Sequence, residues 1–124
     1  MIKLQFSKRK YYTFSDGKVV VCSYDCTVYD SSDGRILQKF KVKGKATCAE
    51  QDMPNPYLGR MIADSRAKEK AYTKARTLFD KEELEARWKE VTKTLDEFRF
   101  FDQMSYLRRN EQVHIKKLIN EDNY

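Results

Sequence analysis

The sequence predicts an α+β fold: an N-terminal three-stranded antiparallel sheet followed by two to three helices, the C-terminal helices pairing in an oligomer. Three observations lead there. Residues 1–48 hold three runs rich in apolar, aromatic and β-branched residues, separated by two Gly-containing turn sequences. From Asn55 onward the apolar residues recur at intervals of three and four instead. The length, 124 residues, is that of a single domain, here a sheet over 1–48 and a helical part over 55–120.

The first run extends from Ile2 to Phe14 and is interrupted by Ser7-Lys8-Arg9-Lys10, where a bulge or a break into two short strands is expected. Ser15-Asp16-Gly17 supplies a turn. Lys18 to Tyr29, rich in Val, Cys, Tyr and Thr, suits a second strand, and Asp30-Ser31-Ser32-Asp33-Gly34 a second turn. Arg35 to Cys48 alternates around Phe40 and Val42 as a third strand. Asn55-Pro56 then starts a helix, because Asn accepts from an unpaired N–H and Pro is tolerated at the first helical position. Ala63, Ala67, Ala71 and Ala75 recur every four residues, a small-residue stripe that lets a helix lie close to a sheet. That helix is expected to end at Phe79-Asp80, where Asp80 and Glu83 have capping-box spacing for the next one. Leu84, Trp88, Val91, Leu95 and Phe98 step by four, three, four and three, a seam suited to helix–helix packing or an oligomer interface. A last helical segment is expected over 103–120 with Met104, Leu107, Ile115 and Leu118 inward. The junction Arg99-Phe100-Phe101-Asp102 has neither Gly nor Pro and leaves open whether the chain turns or continues.

The hydrophobic share is 40% against 35% charged, which means a thin core under a charged surface. No run approaches the ~18 apolar residues of a membrane span, and the N-terminus lacks the apolar stretch of a signal peptide. A cytoplasmic location follows as the expectation. Cys22 and Cys26 share one strand face, so their Cα atoms lie ~13 Å apart, too far for a disulfide. A zinc site needs about four ligands, and the single histidine, His114, is distant in sequence. Reduced thiols, no metal and no cofactor are expected.

The formal net charge is +6, distributed as +5 over residues 1–50, +2 over 51–80 and −1 over 81–124. The basic character therefore belongs to the strands and first helix, and an anionic partner is expected. Lys39, Lys41, Lys43 and Lys45 alternate with Phe40, Val42 and Gly44, which places four ammonium groups on one strand face ~6.6 Å apart. That spacing is close to the phosphate spacing of an extended nucleic-acid strand. A solvated outer face, or an edge strand protected by lysines, is the alternative. Lys41 and Lys43 are the candidates taken from this ladder. A second candidate site is the start of the first helix, where free N–H groups, Gly59 and Arg60, with Arg66 further along, offer a place for an anion; Gly59 could equally make room for a neighbouring strand. The third is Tyr106-Leu107-Arg108-Arg109-Asn110, where arginine forks suit phosphates and an aromatic face suits a base. The alternative is a surface face with local pairs such as Arg108 with Glu111. Catalysis is not expected, since no nucleophile elbow, P-loop, zincin or dinucleotide fingerprint is present.

The stretch Lys43-Gly44-Lys45-Ala46-Thr47-Cys48, then Asp52, then Leu58 to Ala67 is similar to a strand–loop–helix pattern of small phage and Gram-positive proteins. That pattern has Gly-x-Ala-x-Cys on the strand and Gly-x-x-Ile-Ala-x-x-Arg-Ala on the helix. With the sheet-then-helices plan, the chain resembles the phage anti-Thoeris proteins that sequester cyclic ADP-ribose-type signals. The resemblance implies a non-enzymatic oligomeric sponge in the host bacterial cytoplasm, with a small nucleotide-like ligand held at subunit interfaces by Arg and aromatic residues. The β-β-β-α order also looks like a double-stranded-RNA-binding fold, whose lysine cluster at a helix N-terminus is here represented by Arg60 alone; the alternatives to a sponge are therefore a basic nucleic-acid-binding accessory protein or an inhibitor that binds a host protein.

Overall fold

The computed structural model describes residues 1–48, 54–78 and 91–122, with side chains of the last segment described over 96–119. Strands β1 (Ile2–Phe14), β2 (Val19–Asp30) and β3 (Ile36–Thr47) form one antiparallel sheet in the order β1-β2-β3. Helices α1 (Pro56–Arg76) and α2 (Val91–Asp122) follow. This is the α+β arrangement the sequence predicts.

Both hairpins are built from residues suited to their turns. Ser15, Asp16 and Gly17 all have positive φ, of 54°, 56° and 85°, conformations that Ser and Asp tolerate in tight turns and Gly adopts without cost. In the second hairpin Gly34 has φ 73°, and Asp30 Oδ1 accepts from Ser32 N at 3.0 Å. The bonds from the Ser32 hydroxyl and N–H hold the Asp30 carboxyl down at about 2. The interruption at Ser7–Lys10 is a bulge within one continuous strand. The register slips there, and Lys8 takes φ 51°.

One sheet face is buried by α1. The inward row of β2, Val20, Cys22, Tyr24, Cys26 and Val28, is at most 6% exposed. Phe40, Val42, Gly44 and Ala46 form the inward row of β3. The alanine stripe of α1 presses on them, with Ala63, Ala67, Ala71 and Ala75 fully buried. How close the approach is shows at Gly44: a Cβ there would lie 2.1 Å from Ala63 O and 2.3 Å from Ala67 N. Glycine on the strand and alanine on the helix are two halves of one fit.

Helix α1 begins as the sequence predicts, with the Asn55 side chain accepting from Leu58 N at 3.2 Å and Pro56 first in the helix. It ends at Arg76, earlier than the expected Phe79-Asp80. Thr77 closes it by donating its N–H to Thr73 O and its hydroxyl to Lys74 O, with Lys74 and Arg76 in the last turn favouring the dipole. Helix α2 runs unbroken through 99–102, so the segment expected over 103–120 is the second half of a 32-residue helix. Phe100, 1% exposed, and Phe101 and Met104 anchor that junction in the interior. The two helices are antiparallel neighbours: Ser65 meets His114, Glu69 meets Gln112, and the Arg76 guanidinium lies 4.8 Å from the Phe101 ring centroid. Met104, Ile115 and Leu118 are buried as expected, and Met104 and Leu118 join the core cluster with residues of α1 and the sheet. Of the expected seam, Phe98 is half-buried. Leu84, Trp88 and the Asp80–Glu83 cap lie outside the described residues, as do the side chains of Val91 and Leu95.

Candidate functional site

Period-2 alternation that buries one row of each strand presents the other row on the opposite sheet face, away from both helices. On β3 that row is Lys39, Lys41, Lys43 and Lys45, every one exposed. The pairing sets Thr27, Asp25, Ser23 and Val21 of β2 directly opposite them. Beyond β2, the β1 partners are Gln5, Ser7, Lys10 and Tyr12, with Lys3 beside Tyr29 at one end. The bulge adds Lys8 to this face, since its ammonium lies 3.9 Å from the Asp25 carboxylate. Seven lysines therefore stand on the two edge strands, with a polar row between them on the central strand. Tyr12 and Phe14, 45% and 55% exposed, continue the face toward the first hairpin.

Asp25 lies at the centre of this field. Its carboxylate is 3.9 Å from Lys8 Nζ and 4.0 Å from Lys41 Nζ, with those lysines 74% and 83% exposed. Two shallow depressions adjoin there. One, of about 410 Å³, is bordered by Ser7, Lys8, Asp25, Thr27, Lys39 and Lys41. The other, of about 310 Å³, is bordered by Lys8, Lys10, Tyr12, Ser23, Asp25 and Lys43. The face thus sets lysines on both rails and an acidic side chain in the middle.

The other candidates are dispersed. Arg60 is exposed, its guanidinium 5.6 Å from the Tyr11 ring centroid, where Arg9 also lies at 5.4 Å. Arg66 donates to Lys45 O at 2.7 Å and so fastens α1 to the edge of β3. Gly59 is buried, its N–H donating to Asn55 O at 2.9 Å. Tyr106, Arg109 and Asn110 are exposed on α2 and Arg108 is half-buried. With residue 112 beside Glu69, the Arg108–Arg109 pair lies beside the second half of α1. At 1.5 Å per residue that is ~15 Å or more along the helix axis from Arg60. Lys41 and Lys43 share one face with each other and with no other residue of the candidate set.

A polar network between sheet and helix escaped the sequence reading. Asp64, on α1, accepts a short hydrogen bond from the Tyr24 hydroxyl, lies 3.8 Å from Cys22 Sγ, and pairs with Lys68 at 3.1 Å. Arg9 shares the Tyr24 oxygen, and that contact raises the arginine further. Burial, then the Asp64 charge, pushes the Cys22 thiol up to about 11, and the same two causes with the Asp64 hydrogen bond push the Tyr24 phenol up strongly. Burial likewise raises Cys26 to about 11. None of the three cysteines is in a disulfide and all are buried, as structural thiols are.

Ser65, His114 and Glu111 are also neighbours, Ser65 Oγ lying 3.1 Å and Glu111 Oε2 3.8 Å from His114 Nδ1. A hydrolytic triad needs serine and acid on opposite ring nitrogens. Here both address the same one, so the geometry is that of a polar helix–helix contact. Among the described residues no group of three or more His, Cys, Asp or Glu could hold a metal ion, and no helix is long and apolar enough to cross a membrane. Compared with known proteins, the chain matches no family model, no curated protein and no solved structure.

Proposed function

We propose that the protein binds the phosphate backbone of nucleic acid on the outer face of its sheet. The observation that carries this reading is the pair of lysine rails, seven exposed lysines on β1 and β3 flanking the polar outer row of β2. Along β3 the ammonium groups recur at the ~6.6–6.8 Å repeat of alternate strand residues. An extended strand can thus be neutralised at successive phosphates without bending, releasing its counterions. The open sheet face suits a single strand, whose unpaired bases can lie on it between the rails.

The test is fluorescence anisotropy of labelled single strands and duplexes over a series of salt concentrations. Single strands are expected to bind with micromolar affinity near ~0.1 M salt, weakening steeply as salt rises. Replacing Lys41 and Lys43 together by Gln should flatten the salt dependence by about 1.4 units of log–log slope, ~0.7 per lost phosphate contact. Weak binding without salt dependence, or an unchanged slope in the double variant, contradicts the reading.

Sequestration of a small cyclic nucleotide, the role implied by the anti-Thoeris resemblance, is a second reading on the same lysines. What favours it is the size of the two depressions at Asp25, about 410 and 310 Å³, within the range of small-ligand pockets. It takes no catalysis, so the ligand must come off intact. Competition by unlabelled cyclic ADP-ribose or a cyclic dinucleotide separates the two: displacement of the strand at micromolar competitor, and unmodified ligand after denaturation, select sequestration.

A further inference from the structure

A surface that did nothing but neutralise phosphates would gain from having no carboxylate in its middle, because each phosphate passing Asp25 is repelled. Among the described residues Asp25 is the single acid at an outward position of the three strands, and it stands where both depressions meet. Its contacts to Lys8 and Lys41, at 3.9 and 4.0 Å, are at the outer limit of ion pairing. The two lysines are largely exposed, and such pairs contribute little, so the ammonium groups can swing to phosphates while the carboxylate stays in place. Ser23 and Thr27 lie two residues to either side on the same strand face. The chemistry is therefore layered: cations on the rails where a backbone would run, hydrogen-bonding groups between them where bases would lie.

Resting on the backbone-binding reading above, we infer that Asp25 makes this face selective for guanine in single-stranded nucleic acid. A carboxylate offers two parallel acceptor oxygens and no donor. Of the four bases only guanine presents two adjacent donors, N1–H and N2–H, on its Watson–Crick edge. Uracil and thymine present one N–H between two carbonyl oxygens that repel the carboxylate. Adenine and cytosine present one amino group beside a ring nitrogen acceptor, which does the same. Unpaired bases are the ones that expose this edge, in keeping with an open sheet rather than a groove-reading element. Asp25 is thus a specificity-determining residue: it lowers affinity for every strand and lowers it least where a guanine meets it.

The experiment uses labelled uracil tracts of about nine nucleotides with one central guanine, adenine or cytosine, as ribose and as deoxyribose strands, titrated with the full chain at low salt. Wild type is expected to bind the guanine strand about tenfold tighter than the uniform tract, in the range of a bidentate contact. In Asp25→Asn the uniform tract should bind more tightly, since a negative charge is gone, while the guanine preference collapses toward one. Asn carries one acceptor and one donor and cannot take both guanine donors; Asp25→Ser, read alongside it, should also lose the preference. A mere charge-spacing role for Asp25 predicts instead that all strands tighten by the same factor. Wild-type binding that ignores the central base overturns the inference and leaves backbone binding standing. A guanine preference that survives in both variants overturns the assignment to Asp25, and no binding to any strand overturns both readings.

Discussion

At the scale of single residues, the interior is set by two tight fits. Gly44 faces the backbone of α1 so closely that a methyl group cannot be placed without moving the helix. Gly34, by contrast, has a positive φ, and nothing lies within 4 Å of its missing side chain. Gly44→Ala should therefore cost ~3 kcal/mol or more by overpacking against rigid backbone, and Gly34→Ala ~1 kcal/mol of backbone strain. Urea titration of both variants checks this, and equal losses contradict a close helix–sheet approach. The second fit is Tyr24 on Asp64. Tyr24→Phe removes a hydrogen bond to a charged, mostly buried acceptor and is expected to cost ~1.5–3 kcal/mol. The same region sets the alkaline limit of the fold. Burial lifts the Cys22 and Cys26 thiols to about 11 in the folded chain against an ordinary value of 9, with Asp64 adding to it at Cys22. Burial, then the Asp64 hydrogen bond and charge, raises the Tyr24 phenol strongly. Groups raised by folding stabilise it fully below their unfolded values and lose that contribution as pH climbs to the folded ones. Melting temperature should thus be flat across neutral pH and fall between about pH 9 and 11. A profile flat to pH 11 contradicts the buried, raised thiols.

Secondary-structure elements were legible where a local rule decides them. Period 2 reveals the strands and the lysine row, and Asn55-Pro56 announces α1 because cap chemistry needs no partner from elsewhere. Unbroken α2 could be allowed by the absence of Gly and Pro at 99–102 but not proven by it. What settles the helix there is Phe100, buried against distant parts of the chain. The Asp64 network was invisible for the same reason: an acid between Arg60 and Lys68 on α1 looks like a solvated pair until the strands place Tyr24 and Cys22 above it. One signal was available for the helix–sheet contact, namely Gly44 and Ala46 on one strand face opposite alanines spaced by four. Arg66 shows a contact of the same kind. In the sequence it stands as a candidate for an anion, and in the fold its guanidinium also donates to Lys45 O at the β3 edge. Arg66→Ala should consequently lower stability by ~1 kcal/mol and leave strand binding within twofold, measured by urea titration and anisotropy on the same sample.

Across the whole molecule, the sheet separates the core from the proposed binding surface. Its inner face carries the apolar rows covered by α1, and its outer face the exposed lysines. Seven like charges on one small surface repel each other, with Asp25 offsetting part of that repulsion between Lys8 and Lys41. Neutralising some of them should not harm the fold, since exposed charges contribute ~0.5 kcal/mol or less. Charge reversal is the sharper test. Lys41→Glu with Lys43→Glu places two carboxylates beside Asp25 and should reduce strand affinity at least a hundredfold at low salt, with the urea midpoint nearly unchanged. Arg108→Ala with Arg109→Ala, on the helical side, removes as many positive charges as the lysine-to-glutamine double variant and should weaken binding less than twofold. If net charge alone drove association, these two neutralising variants would weaken it alike. Self-association through the C-terminal helices, the expectation from the sequence, is read in the same samples by light scattering across a dilution series. Because the lysines stand on the opposite face, an oligomer must keep its mass when they are reversed. A mass that falls to the 14.8 kDa monomer in the reversed variant, from a larger wild-type value, would place the subunit contact on the lysine face and rule out that face as the open binding surface.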